Sequence, residues 1–239
     1  MINLSDADKQ FIKEELKPYL EKDNIEGVLR VLVSNGRYCS NVSAFLYELG
    51  LPLLDFVERV PDELFCSSAI EKVHIPSNVR TVGVSAFNWC KHLTEVTFEE
   101  GLEGIFDYAF SHTALAFVHL PKTMLSVGDS AFKNCKNLID VTFEEGIKRI
   151  WDSAFYDTSL MSVTLPSTVH LVGDFAFGGI PSLSLTINSD VHFYEHAFQG
   201  SDVHLYVPKD IYENPKSNLH DYLSSRPDVS FDKFDVTPV

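Results

Sequence analysis

The dipeptide Ala-Phe recurs along the middle of the chain at intervals of 21 to 23 residues. The copies are Ala86-Phe87, Ala109-Phe110, Ala131-Phe132, Ala154-Phe155, Ala176-Phe177 and Ala197-Phe198. A period of roughly 20–50 residues is typical of solenoids, in which one unit cannot bury its apolar side alone. The spacing therefore predicts stacked coils, one for each copy of the repeat.

Each copy of the repeat carries the same apolar frame. Leu93-x-x-Val96-x-Phe98 returns as Leu138-x-x-Val141-x-Phe143. Val96 and Phe98 alternate with polar neighbours, which is the pattern of a half-buried strand. Equivalent strands in successive coils are expected to pair in parallel, ~4.8 Å apart. The Ala-Phe pair is expected on the return segment, with the ring buried in the core.

A second period of 45 residues lies over the first. It relates Pro76, Pro121 and Pro166 to one another, and Phe98-Glu99-Glu100-Gly101 to Phe143-Glu144-Glu145-Gly146. The repeating unit is thus a pair of alternating coils.

The segment Ala131–Phe143 resembles the BspA-type leucine-rich repeats, whose frame reads AFxxCxxLxxVxLP, and Ala86–Leu93 resembles it equally. The resemblance implies an α/β repeat solenoid, a right-handed leucine-rich-repeat coil stack with short parallel strands. Proteins with such repeats are usually found at the cell surface or secreted, and the role that the resemblance suggests there is adhesion. The resemblance therefore also implies another protein as the partner.

The flanking segments have helical patterns. Residues 1–59 are predicted to form three short helices, an N-terminal all-α cap or an accessory domain that binds a partner itself. Residues 60–208 are predicted to form a solenoid of about six coils, and residues 209–239 a C-terminal cap and tail. In that last segment, a helix is expected at 211–223 and one short strand near Phe231.

Charge and composition narrow the function classes. The net charge of −15 argues against direct nucleic-acid binding. The first residues contain no basic segment followed by an apolar one, and no stretch approaches the ~20 apolar residues of a membrane span. These features predict a cytoplasmic protein without membrane insertion. The four cysteines show no CxxC spacing and are expected to be free thiols.

No sequence motif of a known catalytic or metal site is present, so we expect no enzyme activity, no catalytic residue, no cofactor and no metal. His192 and His196 lie in a repeat coil that is not expected to align their rings. Glu99-Glu100 and Glu144-Glu145 are expected to form a solvated acidic ridge, with docking of a basic partner as the alternative.

The outward face of the long strands is the best candidate site. Phe117 is the only aromatic residue in a polar column, and an apolar cluster with a polar rim is typical of an interaction hot spot. The alternatives are an isolated surface Phe or a face covered by another segment. The predicted partner-binding residues are Phe117, His74, His119, Ile139, Met161, Glu95 and Asp140.

Two functions are compatible with these features. The first is a non-enzymatic protein–protein interaction module that uses the rigid solenoid surface. The alternative is an acidic inhibitor or decoy, for example a phage-encoded counter-defence protein that blocks a host nucleic-acid-handling complex. This alternative depends on the small size and the negative charge of the chain. The oligomeric state of the protein stays open.

Overall fold

The computed structural model of the protein describes residues 4–35, 40–226 and 229–234. Its N-terminal part is helical, as predicted. Ser5 forms a capping box with Asp8 at the start of the first helix. A π-helical turn, Ile12–Leu16, leads into Pro18, and the chain stays helical through this proline. The helices are α1 (Asp6–Phe11), α2 (Lys17–Leu20), α3 (Ile25–Asn35) and α4 (Ser40–Glu48).

Two columns of parallel strands follow the helices. The short strands β1 (Arg59–Val60), β3 (Thr81–Val82), β5 (Gly104–Ile105), β7 (Ser126–Val127), β9 (Arg149–Ile150), β11 (Leu171–Val172) and β13 (His192–Phe193) form one seven-stranded sheet. The longer strands β2 (Lys72–Ile75), β4 (Glu95–Phe98), β6 (Phe117–Leu120), β8 (Asp140–Phe143), β10 (Ser162–Leu165), β12 (Leu183–Ile187), β14 (Val203–Pro208) and β15 (Ser230–Phe234) form what we call the strand face. The result is a stack of about eight parallel-strand turns.

The core is a ladder of phenylalanine rings. Phe65, Phe87, Phe110, Phe132, Phe155 and Phe177 are fully buried, and neighbouring rings stack with centroids 5.0–5.5 Å apart. Every alanine of the six Ala-Phe pairs is also buried, which confirms their predicted place. The ladder begins at Leu64-Phe65, where leucine replaces the alanine, so counting Ala-Phe pairs alone misses this turn.

In the first half of the stack, the 45-residue period appears as strand pairing in twos, whereas β10, β12 and β14 pair continuously. Strands β2 and β4 pair over four residues, and so do β6 and β8. β4 and β6 lie in different sheets, and the ladder between β8 and β10 is a single pair. Gly146 shows why a coil with the Phe-Glu-Glu-Gly segment packs on a coil of the other type, the one that contains Pro121. Its φ is 138°, and a Cβ there would collide with the carbonyl oxygen of Lys122 in the coil before it.

Both ends of the stack contact other segments. At the N-terminal end, the ring of Tyr47 in α4 packs edge-on against Phe65, with centroids 5.8 Å apart. At the C-terminal end, the predicted helix is present as two helices, α5 (Lys209–Tyr212) and α6 (Asn218–Ser225). Tyr222 of α6 packs against the rings of Phe193 and Phe198. The strand expected near Phe231 is β15, which pairs in parallel with β14.

None of the described helices has the length and apolarity needed to cross a bilayer.

Candidate functional site

The strand face has the alternation that the sequence predicts. In each of β2, β6, β8 and β10, the first and third residues are exposed and the second and fourth are buried. The outward residues in the column that contains Phe117 are all exposed: Lys72, Glu95, Phe117, Asp140 and Ser162. No segment among the described residues covers these side chains.

Two large apolar side chains stand out on this face. Phe117 is 62% exposed and Met161 is 64% exposed. Asp140 is the register partner of both Phe117 and Ser162, so Phe117 and the residue after Met161 lie two strands apart in one row. Ile139 fills the place between them at half-burial, and its carbonyl oxygen accepts a hydrogen bond of 3.3 Å from the Met161 N–H. The fold thus brings together four of the predicted site residues, Phe117, Ile139, Asp140 and Met161.

A groove lies beside this cluster, where the ladder between β8 and β10 stops after Asp140 and Ser162. The groove has a volume of about 330 Å³. Its walls are mostly polar and include Asp140, Thr142, Glu144, Ser162, Thr164 and Asn188. The sequence reasoning missed it, although the 45-residue period is the signal that separates one pair of coils from the next.

His74 and Glu95 lie on the strand pair β2–β4, which is next to β6 but forms no ladder with it. The His74 ring nitrogens are 2.9 Å from Thr97 Oγ1 and 3.1 Å from Glu99 Oε1. Glu95 forms an ion pair of 2.6 Å with Lys72. Both side chains therefore already have partners within the chain.

Hydrogen bonds from Ser77 hold the pKa of the Glu99 carboxyl below its usual value, and His74 adds to the effect. His119 Nε2 lies 3.8 Å from Glu144 Oε1, on the rim of the groove. The two halves of the predicted acidic ridge thus differ: Glu99 bonds to the preceding coil, whereas Glu145 accepts hydrogen bonds from Ser167 in the following one.

Cysteines offer no activated nucleophile in the described part of the chain. Cys66, Cys90 and Cys135 are buried free thiols, and burial raises the pKa of Cys90 to about 12 and that of Cys135 to about 11. The fourth cysteine, Cys39, lies outside the described residues. Over those residues, no three His, Cys, Asp or Glu side chains are grouped closely enough to hold a metal ion.

Comparison with known proteins agrees with the repeat. A family model described as "BspA type Leucine rich repeat region" matches residues 58–184 in six copies. A leucine-rich-repeat protein of T. pallidum is 29% identical over 54% of this chain and 65% of its own, with a TM-score of 0.49. A leucine-rich cell surface protein of Faecalibacterium prausnitzii is 20% identical over 64% of this chain and 59% of its own, with a TM-score of 0.43. The chain thus spans less than two thirds of either structure. No curated protein matches it.

Proposed function

The chain belongs to the BspA-type leucine-rich-repeat family, and we propose that it is a non-enzymatic module that binds another protein through its strand face. Solenoids of this kind are commonly protein-interaction modules. Their parallel strands hold side chains at fixed spacing, which lowers the entropy lost on binding. The proposal concerns which surface of this solenoid binds, and which residues anchor the partner.

The observation that carries the proposal is the joint exposure of Phe117, on β6, and Met161, directly before β10, two strands apart in the same sheet. Two strand spacings place such residues ~10 Å apart, a distance that one apolar patch of a partner spans. Large apolar side chains at the centre of a contact supply most of its binding energy. Asp140 and His119 then form a polar rim, which fixes the register of the partner more than its affinity.

The groove beside Asp140 gives the partner a second point of attachment. Its volume of about 330 Å³ accommodates one or two side chains, and its walls include carboxylates and hydroxyls. We propose that a loop or extended segment of the partner lies across β6, β8 and β10, with an apolar side chain on Phe117 and a polar one in the groove. His74 and Glu95 then contribute at the periphery.

A photo-crosslinking residue tests the surface even while the identity of the partner is open. It is placed at position 117 and, as a matched control, at position 108, because Tyr108 is also an exposed aromatic residue. A discrete adduct from position 117 in cells that express the protein, weakened by Met161→Asp, would support the proposal. An adduct from position 108 with none from position 117 would move the binding site off the strand face.

No observation on the described residues favours the alternative of an acidic inhibitor or decoy, which stays a prediction from charge. The cytoplasmic location stays a prediction as well.

A further inference from the structure

A second surface is formed by the turns that follow the Ala-Phe pairs. In these six turns, and in the equivalent turn after Leu64-Phe65, the second residue after the phenylalanine has a positive φ, between 59° and 80°. Glycine, asparagine and aspartate adopt this conformation readily, whereas bulky residues do so rarely. In six turns the residue is Ser67, His112, Asn134, Asp157, Gly179 or Gly200, and in the remaining turn it is Trp89.

The Trp89 indole is a fixed, flat surface. It is 44% exposed and stacks on the His112 ring, with centroids 3.8 Å apart and planes 11° apart. Asn134 Nδ2 lies 3.2 Å from His112 Nε2 and orients the imidazole. Burial lowers the pKa of His112, and Lys133 and Lys91 lower it further, which favours the neutral ring. One face of the indole is therefore occupied by a neutral partner from the next coil.

A cavity of about 460 Å³ lies on the opposite side of Trp89, toward the preceding coil. Asn41, near the start of α4, is one of its lining residues. Its other lining residues come from the two neighbouring turns and include Ser67, Ser68, Lys91 and His92. None of these residues belongs to the strand-face cluster. The volume is within the range of ~300–1,000 Å³ that is usual for small-molecule sites.

The cavity has a cation at its mouth. Lys91 Nζ lies 5.0 Å from the centroid of the Trp89 ring, and within the described ranges this ammonium has no carboxylate in ion-pair distance. Lys133 lies over the Tyr156 ring nearby, at 5.1 Å. A protein with a net charge of −15 thus has an ammonium group beside the aromatic surface of this cavity.

We propose that this cavity binds an acidic sugar residue, a hexose ring that carries one carboxylate. The sugar displaces the Lys91 ammonium from its place over the indole, and the apolar C–H face of the sugar ring packs against the indole face that this leaves. The carboxylate pairs with the Lys91 ammonium, a charge-assisted hydrogen bond. The hydroxyl groups of the sugar form hydrogen bonds with the Asn41 amide and the Ser67 hydroxyl, each of which can both donate and accept.

The charges favour this class over polyanions. Among the described lining residues, Lys91 is the one side chain with a permanent positive charge, so it matches a single carboxylate. A nucleic acid or a nucleotide brings several phosphate charges, which the net charge of −15 opposes. The polar side chains around the indole also match hydroxyl groups better than they match the edge of a nucleobase.

The test is ligand-observed NMR titration of the full chain with glucuronate, with glucose and AMP as comparison ligands. Trp89→Asn removes the indole and keeps a residue that tolerates positive φ. The matched control is Tyr108→Asn, because Tyr108 is 45% exposed and has a φ of 58°. Lys91→Gln removes only the charge. An oligouronate of three or four residues distinguishes a free acidic sugar from the end of a longer glycan.

We expect glucuronate to bind more tightly than glucose. The Trp89→Asn exchange is expected to weaken it about tenfold or more, while Tyr108→Asn leaves it unchanged. Lys91→Gln should bring glucuronate to the affinity of glucose. Binding of the free sugar or of the oligouronate alone would each support the proposal and name the source. Equal affinities for glucuronate and glucose, tighter binding of AMP, or full binding by folded Trp89→Asn would overturn it.

Discussion

The rings of Phe132 and Phe155 lie parallel in adjacent coils, with centroids 5.3 Å apart and planes 3° apart. The same offset stack repeats along the core from Phe65 to Phe177. Parallel rings at this distance attract one another beyond the gain from burial alone. Because each ring has a neighbour on both sides, the loss of one ring affects two interfaces.

Truncation of one ring should therefore be costly. We expect Phe155→Ala to lower the free energy of unfolding by ~3–5 kcal/mol, as is typical of large core truncations. Phe117→Ala is the matched control, because it removes the same atoms from an exposed position. Chemical denaturation measures both. Equal losses in the two variants would contradict the assignment of Phe155 to the core.

The buried thiols should be inert. Cys90 has a pKa of about 12 and Cys135 of about 11, so each stays protonated at neutral pH and reacts slowly with iodoacetamide in the folded protein. Mass spectrometry without reductant is expected to find free thiols at all four cysteines, including Cys39. A bridge between Cys90 and Cys135 would refute the spacing of two coils between them.

Binding of a partner should depend on Phe117. Once a partner is identified, Phe117→Ala is expected to weaken binding by ~2–4 kcal/mol, as for a central anchor. Glu95→Ala should have a far smaller effect, because Glu95 is on the rim and already paired with Lys72. Calorimetry at low and high salt measures both. Unchanged affinity in the first variant, or a steep loss with salt, would favour the acidic ridge as the site.

Backbone conformation at Gly146 should be essential to its coil. A side chain there meets both a φ of 138° and the Lys122 carbonyl, so Gly146→Ala is expected to destabilise the protein by roughly 1–3 kcal/mol. Gly104→Ala is the control, because the nearest atom to its new Cβ would be 3.9 Å away. Thermal melts of the two variants should differ clearly. Similar melting temperatures would show that the turn adapts.

Aspartates precede several of the Ala-Phe pairs by two residues, and we expect them to make the stability of the folded state depend on pH. Burial raises the pKa of Asp129 above 3.8, and repulsion from Asp107 and Asp152 raises it further. When the pKa of a carboxyl group is higher in the folded than in the unfolded state, the folded state loses stability as the pH rises from the unfolded pKa to the folded one. Asp129→Asn should therefore raise the melting temperature at pH 7, with the gain vanishing below about pH 3.

Much of the fold could be predicted because identical core positions recur in every coil. The Ala-Phe pairs fix the period, and the strand predicted around Val96 is β4, Glu95–Phe98. The turn that contains Leu64-Phe65 was harder to find, since a Leu-for-Ala exchange hides it. The outward exposure of Phe117 followed from the alternation of its strand.

The neighbours of the candidate site were harder to predict. Whether two strands pair over four residues or over one depends on the path of the backbone, so the groove beside Asp140 has no signal in a single coil. The stack of Trp89 on His112 joins residues 23 positions apart in the sequence. It becomes visible only when the turns after the Ala-Phe pairs are aligned with one another.

The pairing of coils in twos also bears on how such a chain changes length during evolution. Gly146 packs on a coil of the other type, so loss of one coil would place two like coils side by side and break that contact. Loss of residues 99–143, one full period of 45, joins Phe98 to Glu144. The two types of coil then still alternate along the stack. Duplication and deletion in this lineage are thus expected to proceed by two coils at a time, and the binding surface to lengthen in steps of ~10 Å.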